Sequence, residues 1–240
     1  MATSGSDNFS IDRDGLISAA LRACGVLDPE GGSATSTQLT VGSEALNLIV
    51  KSLNSIHGLP LWAMKEGSIT LTADTAAYTM STIGISRPER IISAYRRNTT
   101  SSTDTPMEII TRDEYVNLGK KSSTGAPIQL WWDPQITAAT STIYVYPTPS
   151  STDASLYSIK FWYHRPFEDF DASTDTPDFP QHWYNAVKWM LAAELAHEYG
   201  VPGPRLDRIE GKAEKELMRV LDNDQEEGSV YFTPDMRVSR

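Results

Sequence analysis

Two groups of residues in this chain have types and spacing that chemistry could use. The first is Glu194-Leu-Ala-His197-Glu198, which sets an imidazole beside carboxylates within one helical turn. A zinc-binding helix of the His-Glu-x-x-His kind needs a second histidine on the same face, and here it is missing. The other histidines, His57, His164 and His182, lie far apart in sequence. The second group is Asp169, Asp171, Asp175 and Asp178, which flank a Pro-containing turn. Paired acids of this sort either act as general acid and base or simply solvate a loop. The aromatics Trp131, Trp132, Tyr157, Trp162 and Tyr163 could stack on bases or sugars, though strand aromatics at this density also serve a core. No Gly-x-Ser-x-Gly elbow, phosphate loop or dinucleotide fingerprint occurs. The expectation is a protein with no catalytic residue, no metal and no cofactor.

A C-terminal helix pair must position the first group. Phe179-Pro180-Gln181-His182-Trp183 opens one helix within 178–200, and Gly200-Val201-Pro202-Gly203-Pro204 ends it and starts the next, 203–222. Gly suits the left-handed residue after a helix end, and Pro suits a first turn. In the first helix Val187, Leu191, Leu195 and Tyr199 recur every four residues, with Trp183, Ala186, Met190 and Ala193 beside them, a broad face that must be buried.

In the second helix Leu206, Ile209, Ala213, Leu217 and Val220 form an apolar seam. One position earlier run Arg205, Arg208, Lys212, Glu216 and Arg219, mostly basic, with Lys215 close by. One position later run Asp207, Glu210 and Glu214. Successive residues sit about 100° apart, so the seam carries a basic flank and an acidic flank. One reading is a solvated helix whose charges happen to sort, since exposed ion pairs contribute little. The other is a subunit interface in which Arg205, Arg208, Lys212 and Arg219 meet Asp207, Glu210 and Glu214 of an identical neighbour. Such a head-to-tail contact closes into a ring where the rotation allows.

Composition sets the outer bounds. The 240 residues can bury a good core in one or two domains, and 40% hydrophobic with 22% charged content is that of a soluble globular protein. No apolar run approaches the roughly 18 residues of a membrane span, and the N-terminus lacks the segments of a signal peptide. Cys24 is the single cysteine, so no intrachain disulfide can form and a reducing cytosol is the expected place of synthesis. A net charge of −10 is the opposite of a footprint for gripping nucleic acid. It does suit a surface that lets DNA pass without sticking.

In chain order, Leu16, Ile17, Ala20, Leu21 and Cys24 predict a first helix from about Ser10–Asp12 to Gly25. Residues 28–37 read as loop by composition. A second helix is expected from Thr40 to Ile56, with Val41, Ala45, Leu48, Ile49, Ser52, Leu53 and Ile56 inside, and Leu59-Pro-Leu-Trp62 as a turn that drops an aromatic onto the core. Runs rich in β-branched and aromatic residues at 68–71, 77–80, 90–97, 107–110, 128–132, 142–146 and 156–165 predict strands. One helical turn interrupts them, started by Thr111-Arg-Asp-Glu114 and running to Lys120. The Ser/Thr-rich separators 98–105, 121–125, 138–141 and 150–155 read as exposed hairpin tips. The expected fold class is α+β: a helical bundle frame from the N- and C-terminal helices (1–66 and 166–222), a β-rich insertion (67–165) and an extended C-terminal arm (223–240).

Pro180-x-x-Trp183-Tyr-x-Ala186 leads into Leu191-Ala-x-Glu194-Leu-Ala-x-Glu198-Tyr-Gly200; Ala213, Asp222-x-Asp224 and Pro234 follow. Upstream stand Arg13-Asp-x-Leu16, Leu46-Asn47, Leu59-x-Leu-Trp62, Arg87-Pro, Arg112-Asp-Glu-Tyr115, and Glu168-Asp169 after Tyr163-x-Arg165. In this order and spacing the chain resembles, over nearly its whole length, the head-to-tail connector (adaptor) proteins of tailed, especially short-tailed, bacteriophages. The resemblance implies a non-enzymatic virion part, made in the bacterial host cytoplasm and placed at the head-tail interface, with no membrane partner. It implies a ring, usually twelve-fold, beneath the portal protein. That ring extends the channel for packaged double-stranded DNA, helps retain the genome, and offers a platform to the next tail or nozzle protein. It also implies that a C-terminal segment grips the portal: here residues 228–240, with Gly228, Val230, Tyr231, Phe232, Pro234 and Met236 as the binding arm and the β-rich insertion on the tail side.

Two readings from other classes stand beside this one. A nucleic-acid-binding protein would lay Arg205, Arg208, Lys212, Lys215 and Arg219 along phosphates. A virion-associated hydrolase would need Glu194, Glu198, Asp169 and Asp171 to converge in a cleft.

Overall fold

Asp12 and Gly25 bracket the first helix of the computed structural model, which describes residues 5–55 and 60–224. Helix α1 (Arg13–Cys24) starts where the Asp12 carboxylate accepts the Gly15 N–H at 2.8 Å, and it stops where Gly25 turns left-handed at φ 79°. Its buried side is the expected Leu16, Ile17, Ala20, Leu21 and Cys24.

Helix α2 (Ser36–Leu53) begins four residues before the expected Thr40. Thr35 and Gln38 form a reciprocal capping box, so the end of the presumed loop is the cap and first turn. The buried face also differs, being Gly42, Ala45, Leu46, Ile49, Val50 and Leu53, while Leu48 is 72% exposed. Gly42 decides this rotation. A Cβ there would strike Ile17, so the absent side chain lets α1 and α2 close on one another. The predicted Ile56 falls outside the described residues.

A single 3-10 turn at Leu61–Ala63 then carries Trp62 onto the core, as its turn signals suggest. The sheet opens with β1 (Met64–Thr70) and β2 (Ala77–Thr79), followed by a short helix α3 (Met80–Ile83) that the sequence patterns do not show. Next come β3 (Arg90–Asn98), β4 (Asp104–Ile109), helix α4 (Arg112–Val116), β5 (Gln129–Asp133), β6 (Thr142–Tyr146), helix α5 (Ser151–Leu156) and β7 (Tyr157–His164). All seven predicted strands are present. They make one sheet in the order β1-β7-β3-β4-β5-β6-β2, antiparallel except for the parallel pair β4–β5.

Three predictions within this region need correction. The capping box at Thr111 and Glu114 is there, but α4 ends at Val116 rather than Lys120; it buries no residue, so nothing repays a longer helix. Residues 150–155 are not a hairpin tip: Ser150 and Asp153 form another capping box and start α5. Likewise 121–125 connects α4 to β5 rather than two antiparallel strands, whereas 98–105 and 138–141 do lie in the β3–β4 and β5–β6 hairpin connections.

The chain enters and leaves the sheet side by side, with Met64 opposite His164. Past β7 an irregular strap, residues 165–180, buries Phe167, Phe170 and Phe179 in the helical core. Asn47 holds it in both directions, accepting the Phe170 N–H at 2.9 Å and donating to the Phe170 carbonyl at 3.2 Å, and Asn54 accepts the Phe167 N–H at 3.1 Å. After a 3-10 turn at Gln181–Trp183 come α6 (Tyr184–Glu198) and α7 (Gly203–Asn223). Helix α6 packs against α1, α2 and α7, which explains why its apolar residues are not confined to one stripe.

Two cores result. One gathers α1, α2, the strap aromatics, α6 and α7 around Leu46, Trp183, Val187, Leu191 and Leu195. The other lies in the sheet around Ile69, Met80, Leu130, Ile143, Ile159 and Phe161. The described chain is α+β, with seven α-helices and one seven-stranded sheet among the described residues.

Candidate assembly surfaces

The residues with catalytic spacing turn out to hold local structure. His197 turns to α7 and pairs with Glu210 at 2.7 Å, and no cluster of three potential metal ligands exists among the described residues. Asp175 accepts the N–H groups of Asp171 and Ala172 at 2.8 and 2.6 Å, which closes a turn in the strap. Asp178 receives the guanidinium fork of Arg165, and Asp169 pairs with Lys51 at 2.5 Å. Asp169 and Asp171 line one open cleft with Lys51, Arg165 and Glu168, and Glu194 and Glu198 line another, so the four acids do not meet in a single cleft among the described residues.

The strand aromatics divide between two environments. Tyr163 lies in the sheet core, and Trp132 packs against that core and donates to Ser141 Oγ at 2.9 Å. Trp131 belongs to a half-exposed cluster, 4.5 Å from Tyr115 and 4.8 Å from Tyr144. Tyr157 lies under the Arg96 guanidinium at 4.4 Å, and Trp162 is 38% exposed on the sheet's outer face.

Helix α7 carries the features with most to say. Ile209, Ala213 and Val220 are buried and Leu206 and Leu217 half-buried, so the predicted seam meets the body. On the basic side, Arg205, Arg208 and Lys212 line an open groove of about 630 Å³ with Ile209, Ala23 at the end of α1, and Trp189 on α6. Arg205 lies over Gly25, where any Cβ would collide with its guanidinium. Beside the groove Lys188 sits 5.0 Å from the Trp189 ring; burial pushes its ammonium pKa down, against the pull of Glu216.

Glu216 does not belong to the exposed flank that its position in sequence suggests. It is buried, accepts from Lys212 Nζ at 2.5 Å, and has Arg219 Nη1 at 3.3 Å as an ion-pair partner. The Lys212 hydrogen bond, with help from Asn185 and Arg219, holds its carboxyl below the usual range. Arg219 is thus drawn to Glu216 and does not line the groove. On the other flank Asp207, Glu210 and Glu214 are exposed. The Glu210–His197 pair joins this flank to Glu194 and Glu198 of α6, which line a second groove with Glu44 and the exposed Leu48 of α2.

A last site lies where α7 ends. Asp224 Oδ2 accepts the indole N–H of Trp62 at 3.0 Å and of Trp183 at 2.5 Å, and Oδ1 lies 3.1 Å from His182 Nε2. These rings belong to an aromatic group in which Trp62 stacks on Phe167 and meets Phe179 and Trp183 edge-on. Sequence motifs mark Asp224, Trp62 and Trp183 separately but not their meeting, since the indoles lie some 40 and 160 residues from the carboxylate. Trp189 escaped for a similar reason, and Leu48, expected inside, stands on a groove instead, since only tertiary packing decides which side of a helix faces out. The expected portal-binding arm, from Gly228 to Met236, lies outside the described residues.

Compared with known proteins, the chain matches a family model described as SU10 adaptor protein over residues 14–237. No curated protein matches it.

Proposed function

The chain belongs to the SU10 adaptor protein family, bacteriophage adaptors with a structural role, and from that premise we propose that it forms a head-to-tail ring beneath the portal of a tailed phage. In this reading the ring is twelve-fold, extends the channel for packaged DNA, helps retain the genome and gives the next tail component a platform. The segments 1–66 and 166–222 build the ring, the insertion 67–165 faces the tail, and the arm within 223–240 grips the portal. Two separate cores, and a sheet entered and left at the adjacent residues Met64 and His164, support that division of labour.

The observation that carries the ring is α7, which exposes a basic flank and an acidic flank on either side of a buried seam. A self-complementary pattern of this kind suits a heterologous contact between copies. The net charge of −10 suits a lumen that repels phosphates and lets DNA slide. No helix among the described residues is long and apolar enough to cross a membrane.

A chain shortened to end at Asp224 tests the arm. It should keep its fold by circular dichroism and lose co-sedimentation with the portal ring; co-sedimentation at full stoichiometry would remove the arm from the account. The basic groove gives a second reading some footing, since Arg205, Arg208 and Lys212 could hold phosphates. That reading predicts DNA affinity falling steeply with salt, about as the power of the number of phosphates neutralised.

A further inference from the structure

We propose that neighbouring copies join by seating Leu48 of one, with its rim of carboxylates, in the basic Trp189 groove of the next. This rests on the ring reading above and names the two surfaces. Leu48 is 72% exposed in the middle of an amphipathic helix and shares its grooves with the exposed acids Glu44, Glu194 and Glu198, together with His197, which pairs with Glu210, and Lys51, which pairs with Asp169. The receiving groove is the chemical converse: a half-buried indole at its side and Arg205, Arg208 and Lys212 at its rim.

The two surfaces lie along opposite flanks of α7. Arg205, Arg208 and Lys212 stand on one side of the seam, and Glu210, tied to His197, continues the acidic face on the other. They therefore cannot meet within one copy, and each finds its complement on a second copy displaced by a rotation, which propagates head to tail. Charges of opposite sign around an apolar contact steer the encounter and fix its register, while the enclosed Leu–Trp contact slows dissociation. Nucleic acid would use the basic groove alone and leave the acid-ringed leucine unexplained.

The test uses full-length chains with the portal ring present. One variant reverses the acidic rim (Glu44→Lys with Glu194→Lys), the other the basic rim (Arg205→Glu with Arg208→Glu), and Lys212 is kept because Glu216 needs it. Circular dichroism melts first establish that both variants fold. Each alone should assemble at least about tenfold more weakly than wild type. An equimolar mixture should assemble again, because each altered rim then faces its opposite and an even-membered ring closes on alternating copies. Leu48→Asp, which leaves the basic rim intact, should also weaken assembly about tenfold. If wild type assembles while either reversal does too, or the mixture fails to recover, these surfaces are wrong and the ring stands. If the basic reversal alone matters, and it acts through DNA affinity, the groove serves nucleic acid and the inference falls. If wild type forms no assembly even on the portal, the ring reading itself fails.

Discussion

One carboxylate at Asp224 satisfies two indole donors, one of them on a tryptophan that is 1% exposed. Water cannot easily replace it there. Each buried donor left without an acceptor is destabilising by about 1–3 kcal/mol, so Asp224→Ala should lower stability by about 2–4 kcal/mol in urea unfolding. Asp224→Asn keeps acceptor oxygen and should lose less; equal losses would mean that charge, not hydrogen bonding, matters. His164 makes a different prediction. Its ring is buried with Nδ1 unpartnered, and burial, followed by the Arg90 charge, holds its pKa below the usual histidine value. The unfolded chain then takes up a proton at a pH where the folded chain does not. Stability is full above the ordinary value of about 6.5 and falls as pH drops from there toward the lower folded value. His164→Leu should flatten that decline in denaturant midpoints measured between about pH 7 and 5. A variant as pH-sensitive as wild type would assign the decline to other groups.

Elements whose signal is local were legible. The seven strands announced themselves by β-branched and aromatic runs, and α1 by its spacing and its glycine stop. Where composition and capping chemistry disagreed, capping decided. Thr35-Ser-Thr-Gln38 and Ser150-Ser-Thr-Asp153 look like loops by content, yet each starts a helix through a reciprocal box. The face of α2 was legible in part: Ala45, Ile49 and Leu53 are buried as expected, but Leu48 is exposed and Gly42, Leu46 and Val50 face inward, where Ile17 fills the space over Gly42. That packing carries a prediction whose sign is set by magnitudes. Alanine at an exposed helical glycine gains about 1 kcal/mol, but extra volume in a closed core loses about 1–3 kcal/mol. Ile17 is fully buried and cannot swing away, so Gly42→Ala should lower the melting temperature. A rise would show that α1 and α2 can separate freely. The parallel β4–β5 pairing was likewise unreadable, since strand order depends on contacts distant in sequence.

For the whole molecule, what was legible was membership in a phage adaptor family, carried by weak motifs in a persuasive order and borne out by a match spanning residues 14–237. The assembly surfaces were only half legible. The two flanks of α7 could be drawn from sequence, but their continuation depends on packing: Trp189 beside the cations, and Glu194, Glu198, Glu44 and Leu48 beyond Glu210. Glu216 shows the limit well. Its spacing puts it on the basic flank, and its environment turns it inward as the partner of Lys212 and Arg219. A ring on the portal is tested most directly by the solution mass of the full chain, alone and mixed with the portal ring of the same phage. The expected result is a complex of fixed stoichiometry, one adaptor for each portal subunit. A chain that remains monomeric in the presence of the portal would contradict it.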